Sequence, residues 1–149
     1  MRIEFIEISE QDLPSIIRLS YEGDEDLLNK YHVDKFTLEQ AVECELGIIK
    51  KDTEVMNLTY YKVVFDKIDI GYLVSSGDLI LSFCINIKFR TKVILKEWWD
   101  MMVSFFGDKI KFGVLSNNQR AIQFFKKRGM KIAWENSDKK EKADLLITF

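Results

Sequence analysis

Asn118-Gln119-Arg120-Ala121-Ile122-Gln123-Phe124-Phe125-Lys126-Lys127-Arg128-Gly129-Met130 is the stretch whose reading decides the fold. Just before and into it, Ser116-Asn117-Asn118-Gln119 has the form of a capping box, in which a hydroxyl and an amide three residues apart satisfy free N–H groups at a helix start. Ala121 is small where such a helix must approach its neighbours, and Gly129 suits the left-handed position that ends one. The pattern predicts a helix ending at Gly129, preceded by a strand over 111–115 and followed by one over 130–134.

Upstream, Ile94, Trp98, Met101, Met102 and Phe105 recur at helical spacing until Gly107 stops them. Before that helix come three β-branched and aromatic runs, over 60–65, 70–74 and 79–89, separated by Asp66-Lys67 and Ser75-Ser76-Gly77-Asp78. They read as an antiparallel meander. In the longest run Leu81, Phe83, Ile85, Ile87 and Phe89 alternate with Ser82, Cys84, Asn86 and Lys88, so one face is core and the other borders a cleft. Thr37-Leu38-Glu39-Gln40 is a further capping box, opening a helix to about residue 50 whose Leu38, Val42, Leu46 and Ile49 form one apolar stripe. Gly23-Asp24-Glu25-Asp26 breaks an earlier helix that begins at Asp12-Leu13-Pro14, with Asp12 as cap and Pro14 in the first turn. Residues 2–8 read as a strand of imperfect alternation, and 143–149 as a last strand reached across the charged turn 135–142. No internal repeat, linker or low-complexity tract interrupts the chain.

A length of 149 residues suits one domain over 1–149. With 47% hydrophobic residues and 31% charged ones, the chain can bury a large core under a charged surface. A net charge of -2 argues against the broad basic surface that nucleic acid requires; the local patch of Lys88, Arg90, Lys92, Lys126, Lys127 and Arg128 is the one feature pointing that way. Cys44 and Cys84 stand far apart and His32 is the single histidine, so neither a disulfide framework nor a zinc site is suggested. The first residues form no signal segment and no run is long enough to span a membrane, so a cytoplasmic location is expected.

The order strand, two helices, three strands, helix, strand, helix, two strands resembles the GNAT acyl-CoA N-acyltransferases over nearly the whole chain. The segment 118–130 is similar to that family's "N-x-R-A-x-x-F-Y-x-K-x-G-F" stretch, and Phe89-Arg90-Thr91-Lys92-Val93-Ile94-Leu95 to its "Y-R-G-K-G-I-G" loop. The resemblance implies an α/β, GNAT-like fold with a mixed central sheet of about six to seven strands flanked by four helices.

It also implies acyl transfer from acetyl-CoA or another acyl-CoA to a small-molecule or peptide amine, by direct attack. The cofactor-binding residues it points to are Ile85, Asn86 and Ile87 on the strand, Arg90, Thr91, Lys92, Val93, Ile94 and Leu95 in the loop, and Asn118. In the family the loop wraps the CoA pyrophosphate with backbone amides at a helix N-terminus, where the dipole favours an anion. Thr91, Val93 and Leu95 fill the glycine positions here. Asn118 either contacts the cofactor or caps its helix. The fourth and fifth strands are expected to splay around a groove lined by Ser82, Cys84 and Asn86. The family's acidic tyrosine is replaced by Phe125, which has no proton to give. The strand 79–89 offers no glutamate as base, leaving Glu22, Glu25, Glu43 or Glu45 acting through water. Cys84 as a covalent nucleophile carries no more weight than these glutamates, since an unpaired strand cysteine is usually a small buried hydrophobe, and His32, with no partner in sequence, reads as structural or surface. A second reading is a noncatalytic ligand- or partner-binding protein on the same scaffold, which the missing glycines and tyrosine favour.

Overall fold

A computed structural model describes residues 3–30, 36–135 and 145–149. His32 and most of the turn 135–142 lie outside the described residues. The elements run β1 (Ile3–Ile8), α1 (Leu13–Tyr21), α2 (Glu25–Lys30), α3 (Leu38–Thr53), β2 (Thr59–Phe65), β3 (Ile68–Ser76), β4 (Leu79–Ile85), α4 (Lys92–Phe106), β5 (Lys111–Val114), α5 (Gln119–Lys126), β6 (Lys131–Glu135) and β7 (Leu145–Thr148). Short 3-10 turns at Glu10–Asp12 and Ile87–Phe89 join β1 to α1 and β4 to α4.

The strands form one seven-stranded sheet in the order β1-β2-β3-β4-β5-β7-β6. The meander β2-β3-β4 is antiparallel, while β4 and β5 run parallel because α4 carries the chain back across the sheet. Asp66 and Lys67 both take positive φ, the twist-matched geometry of a two-residue hairpin between β2 and β3.

The sheet is covered on both faces. Val63, Leu73, Phe112 and Ile147 pack with Ile94, Trp98 and Met102 of α4 and Ile122 and Phe125 of α5. On the other face Tyr72, Val74 and Cys84 pack with Leu13, Ile16 and Ile17 of α1 and with Ala41, Val42 and Ile49 of α3. No helix among the described residues is long and apolar enough to cross a membrane.

The capping boxes fare differently. At α3 the Thr37 hydroxyl accepts from the Gln40 N–H and the Gln40 amide oxygen accepts from the Thr37 N–H, as expected. At α5 the cap is Asn118, two residues later than the box places it, and Gln119 bonds back to the Ser116 carbonyl. Its other end closes as predicted. Gly129 sits at φ +86°, with Met130 N–H bonded to the Phe125 carbonyl and Gly129 N–H to that of Lys126, the paired pattern of a glycine-ended helix. Asp12 precedes α1 without a side-chain capping bond, and Pro14 occupies the first turn.

Two departures from the sequence reading bear on function. There are five α-helices among the described residues, since Asp24 does more than end a break: its carboxylate accepts from Leu27 N–H and so starts α2. The strand expected over 79–89 stops at Ile85, because the Asn86 side chain accepts from Lys88 N–H and donates to the Leu19 carbonyl, turning the chain out of the sheet.

Candidate functional site

The site begins with one extra residue on β4. Val74 faces Ser82 but Ser75 faces Ile80, so Leu81 is a bulge. Ile80 and Phe83 consequently lie on the same core face, which strict alternation forbids. A bulge bends its strand and sharpens the twist. Accordingly β5 follows β4 only at Leu79–Lys111 and Ile80–Phe112, and the two strands then part.

The direction of the freed backbone follows from the ladder on the other side. Asn86 N–H bonds to the Ile70 carbonyl at 2.7 Å, so the polar groups of Cys84 point to β3 and those of Phe83 and Ile85 point into the gap. Gly71 makes this closeness possible, since a Cβ there would lie 2.3 Å from the Cys84 carbonyl oxygen. Between β4, α4 and α5 the gap widens into a cleft of about 920 Å³ with Phe83, Ile85, Trp98, Trp99 and Phe124 among its walls.

The splay expected of β4 and β5 is therefore present, with different lining. Phe83, Cys84 and Ile85 border the cleft, whereas Ser82 and Asn86 are buried and bonded on the α1 side. The bulge explains the change, because it moves the register of faces by one residue.

Among the residues the resemblance assigned to cofactor, Ile85, Arg90, Lys92, Leu95 and Asn118 come together around the cleft. Asn86, Ile87 and Ile94 do not. Asn86 is spent on Leu19 and Ile70, the Ile87 carbonyl accepts from Arg90 N–H, and Ile94 is buried in the core. Val93 points to solvent, 64% exposed. Thr91 caps α4, its hydroxyl accepting from Ile94 N–H at 3.2 Å, while Leu95 N–H bonds to the Thr91 carbonyl. Of the first-turn amides, those of Lys92 and Val93 are the ones that no intrahelical or capping bond takes.

Asn118 caps α5 by accepting from Ala121 N–H, and it also lines the cleft. The lip carries more positive than negative charge: Lys92, Lys96, Arg120, Lys127 and Arg128 stand there with Asp100. Lys96 pairs with Asp100 and Arg120 with Asp26, and the Arg128 guanidinium lies 3.5 Å over the Phe124 ring. An anion at this lip meets a favourable field.

Arg90 was legible only as part of a basic loop; its partners were not. Its Nε donates to the Ile85 carbonyl at 2.8 Å, its Nη2 pairs with the Asp24 carboxylate at 2.6 Å, and the same nitrogen lies 3.4 Å from Cys84 Sγ. Asp24 is fully buried and Arg90 partly so, with 18% of its side chain exposed. Replacing Asp24 by Asn keeps the shape and removes the charge that the guanidinium needs. The expected cost is about 2 kcal/mol in urea unfolding, below the 3–5 kcal/mol of a fully enclosed pair because Arg90 can still recruit water.

Burial pushes the Cys84 thiol up to about 11, and the nearby Arg90 only partly opposes it. Cys84 Sγ donates to the Ser20 carbonyl, as a neutral thiol does. At pH 7 roughly one such thiol in ten thousand is ionised, so Cys84 is a poor nucleophile.

On the α1 and α3 side of the bulge lies a run of polar groups. Ser82 Oγ donates to the Glu45 carboxylate at 2.7 Å, lies 2.7 Å from the Tyr72 hydroxyl, and that hydroxyl lies 2.9 Å from the hydroxyl of Tyr21. A serine has one proton to give. If it goes to Glu45, Tyr72 must donate to Ser82 and Tyr21 to Tyr72, so every proton in the run points toward the carboxylate. Burial holds the Glu45 carboxyl above the usual glutamate range, the Ser82 bond works against this, and Asp52 adds to it. Of the glutamates considered from sequence, Glu45 is the one tied to β4.

A mixed sheet whose central parallel strands part at a bulge, beneath a helix N-terminus with a basic lip, is the GNAT acyltransferase fold. Comparison with solved structures supports that assignment. The chain is similar to an acetyltransferase from Thermus thermophilus at 12% identity and TM-score 0.67, covering 99% of this chain and 94% of that one. It is also similar to AAC(6')-Ib in complex with ribostamycin and coenzyme A, at 14% identity and TM-score 0.66 over 99% and 93% of the two chains. PaiA N-acetyltransferase from Thermoplasma acidophilum in complex with coenzyme A gives 18% identity and TM-score 0.58 over 99% and 98%. No protein-family model matches the sequence, and no curated protein does.

Proposed function

We propose that the protein is an acyl-CoA-dependent N-acyltransferase that passes an acyl group, acetyl being the simplest, directly to an amine. The observation that carries this reading is the parting of β4 and β5 after Ile80 and Phe112, which leaves strand backbone facing a cleft. An extended chain bearing two amides, as the pantetheine arm of CoA does, would pair there like an added strand, with Phe83 and the N–H of Ile85. The amides of Lys92 and Val93 at the start of α4, with the dipole behind them, suit the pyrophosphate. Lys92, Lys127 and Arg128 supply charge for the remaining phosphate.

The protonated state of Cys84 favours direct attack over a cysteinyl intermediate. The acceptor side is the α1 and α3 face, because the cofactor would enter from the α4 face. Two of the similar structures hold coenzyme A, and one of these holds ribostamycin as well. The class of acceptor proposed is accordingly a small-molecule or peptide amine.

Phe125 favours the second reading, a binding protein without catalysis, since it is fully buried where the resemblance expects an acid. Calorimetry with CoA and acetyl-CoA, followed by a thiol-release assay with primary amines, separates the readings. Binding with release supports the enzyme, binding without release supports a noncatalytic protein that holds CoA, and no binding overturns the enzyme and leaves a noncatalytic protein with another ligand or partner.

A further inference from the structure

Three features fix a reaction centre relative to Ser82. The phosphates' end of the cleft is at the start of α4, next to Ile85, and the strands converge at the bulge of Leu81. On β4 the cleft is lined by Ile85, Cys84 and Phe83, about 7 Å of strand that the inner end of the pantetheine arm can follow. The thioester of a cofactor lying in this cleft would therefore stop beside Phe83, one residue short of Ser82. Ser82 is the next residue, turned to the face opposite the cofactor and carrying the hydroxyl bonded to Glu45.

We propose that Glu45, acting through Ser82, is the base that takes the proton from the attacking amine. The inference rests on the acyltransferase reading. As the nitrogen bonds to the thioester carbon, it gives a proton to Ser82 Oγ while Ser82 passes its own to Glu45. The adduct then collapses, the C–S bond breaks, and the electron pair leaves with CoA as the thiolate, which is protonated from solvent. Glu45 gives up the amine's proton to solvent, so amine and thioester become amide and thiol with no net change in protons. Ser82 Oγ has the capacity for this: with one proton to Glu45 and one lone pair taken by Tyr72, its second lone pair remains for the nitrogen. Tyr21 and Tyr72 hold the orientation by donating along the run.

The ionisable groups among the described residues that act on this carboxyl come from each neighbouring element: Asp52 on α3, Tyr72 on β3 and Cys84 on β4, with Tyr21 on α1 beyond Tyr72. Burial first and Asp52 after it make the carboxyl more basic than an ordinary glutamate, against the Ser82 bond, which brings it nearer to the task. A base works in its ionised form, so kcat/KM must fall as the pH drops through the Glu45 pKa, above the ordinary 4.5.

The test compares the wild type, Glu45→Gln and Ser82→Ala, using acetyl-CoA with spermidine, ribostamycin and an alanine-initiated peptide as acceptors, and CoA affinity by calorimetry as the independent measurement. Glu45→Gln is expected to lower kcat on the order of 10²-fold or more, abolish the acidic limb of the pH profile and leave CoA affinity unchanged. Ser82→Ala should show the same split. Stability gives a readout of a different kind. A carboxyl with a raised folded pKa binds protons more tightly in the native state, so its contribution is fully present below pH 4.5 and is lost as the pH rises through the folded value. Glu45→Gln should therefore melt higher than the wild type near neutral pH.

Full activity and an unchanged pH profile in Glu45→Gln would overturn the base and leave the transferase reading standing. CoA binding with no thiol release by the wild type would overturn both, leaving a CoA-binding protein. Absence of CoA binding would remove the reading on which the base depends.

Discussion

Phe125→Ala is expected to destabilise the protein by about 3–5 kcal/mol, the range for deleting a buried aromatic ring that its neighbours cannot replace. Phe125 has no exposed surface and stacks on Phe112 at 4.2 Å between ring centroids, with Phe83 and Phe124 edge-on. These rings join α5 to β4 and β5 on either side of the gap, so the cavity would open where the two strands must be held. Urea denaturation measures the loss directly. The companion change Phe125→Tyr is expected to cost about 1–3 kcal/mol, because it buries a hydroxyl in a site made of rings. It should not raise the rate of thiol release. A gain in rate from Phe125→Tyr would show that this position reaches the leaving group after all.

How much of this was legible in the sequence depends on the range of the forces involved. Helix starts and stops are local, and so Thr37 to Gln40 and Gly129 were read correctly from a few adjacent residues. The meander was legible because β-branched runs and turn residues alternate along the chain. The fold's order followed from these. The bulge at Leu81 was not legible, since it is set by how β3 and β4 pair and no residue type demands it. That one residue changes which side chains face the cleft, and so the expected groove of Ser82, Cys84 and Asn86 became one of Phe83, Cys84 and Ile85.

The polar partnerships were hidden for a similar reason. Arg90 meets Asp24 across 66 residues of chain and Ser82 meets Glu45 across 37. Sequence could list these groups and could not pair them. The helix α2 belongs with them, because a six-residue acidic segment has little helix stability of its own and depends on the Asp24 cap held by Arg90. Asn118 shows the opposite case: the sequence offered a helix cap or a cofactor contact, and the structure shows the cap, on a residue that also borders the cleft.

Replacing Thr91, Val93 and Leu95 together by glycine is expected to tighten CoA binding while lowering stability. The stability cost sums to about 3 kcal/mol: a few tenths at the cap, up to about 1 kcal/mol for each glycine within the first turn, and the rest from the lost packing of Leu95. The affinity gain has two sources. Removing the Thr91 hydroxyl releases the Ile94 N–H, giving the start of α4 a third amide beside those of Lys92 and Val93. Removing the Leu95 side chain widens the cleft at the same end. One new amide contact to a charged oxygen supports a gain on the order of tenfold in calorimetry. Val93 contributes little to that gain, because its side chain already points to solvent. Thr91→Gly alone should therefore give most of the tightening for a small part of the cost, whereas Val93→Gly alone should lower the melting temperature and leave affinity as it was. If the triple variant loses stability and binds CoA no better, the start of α4 is not where the pyrophosphate sits, and the basic lip of Lys92, Lys127 and Arg128 is left as the whole of the anion site.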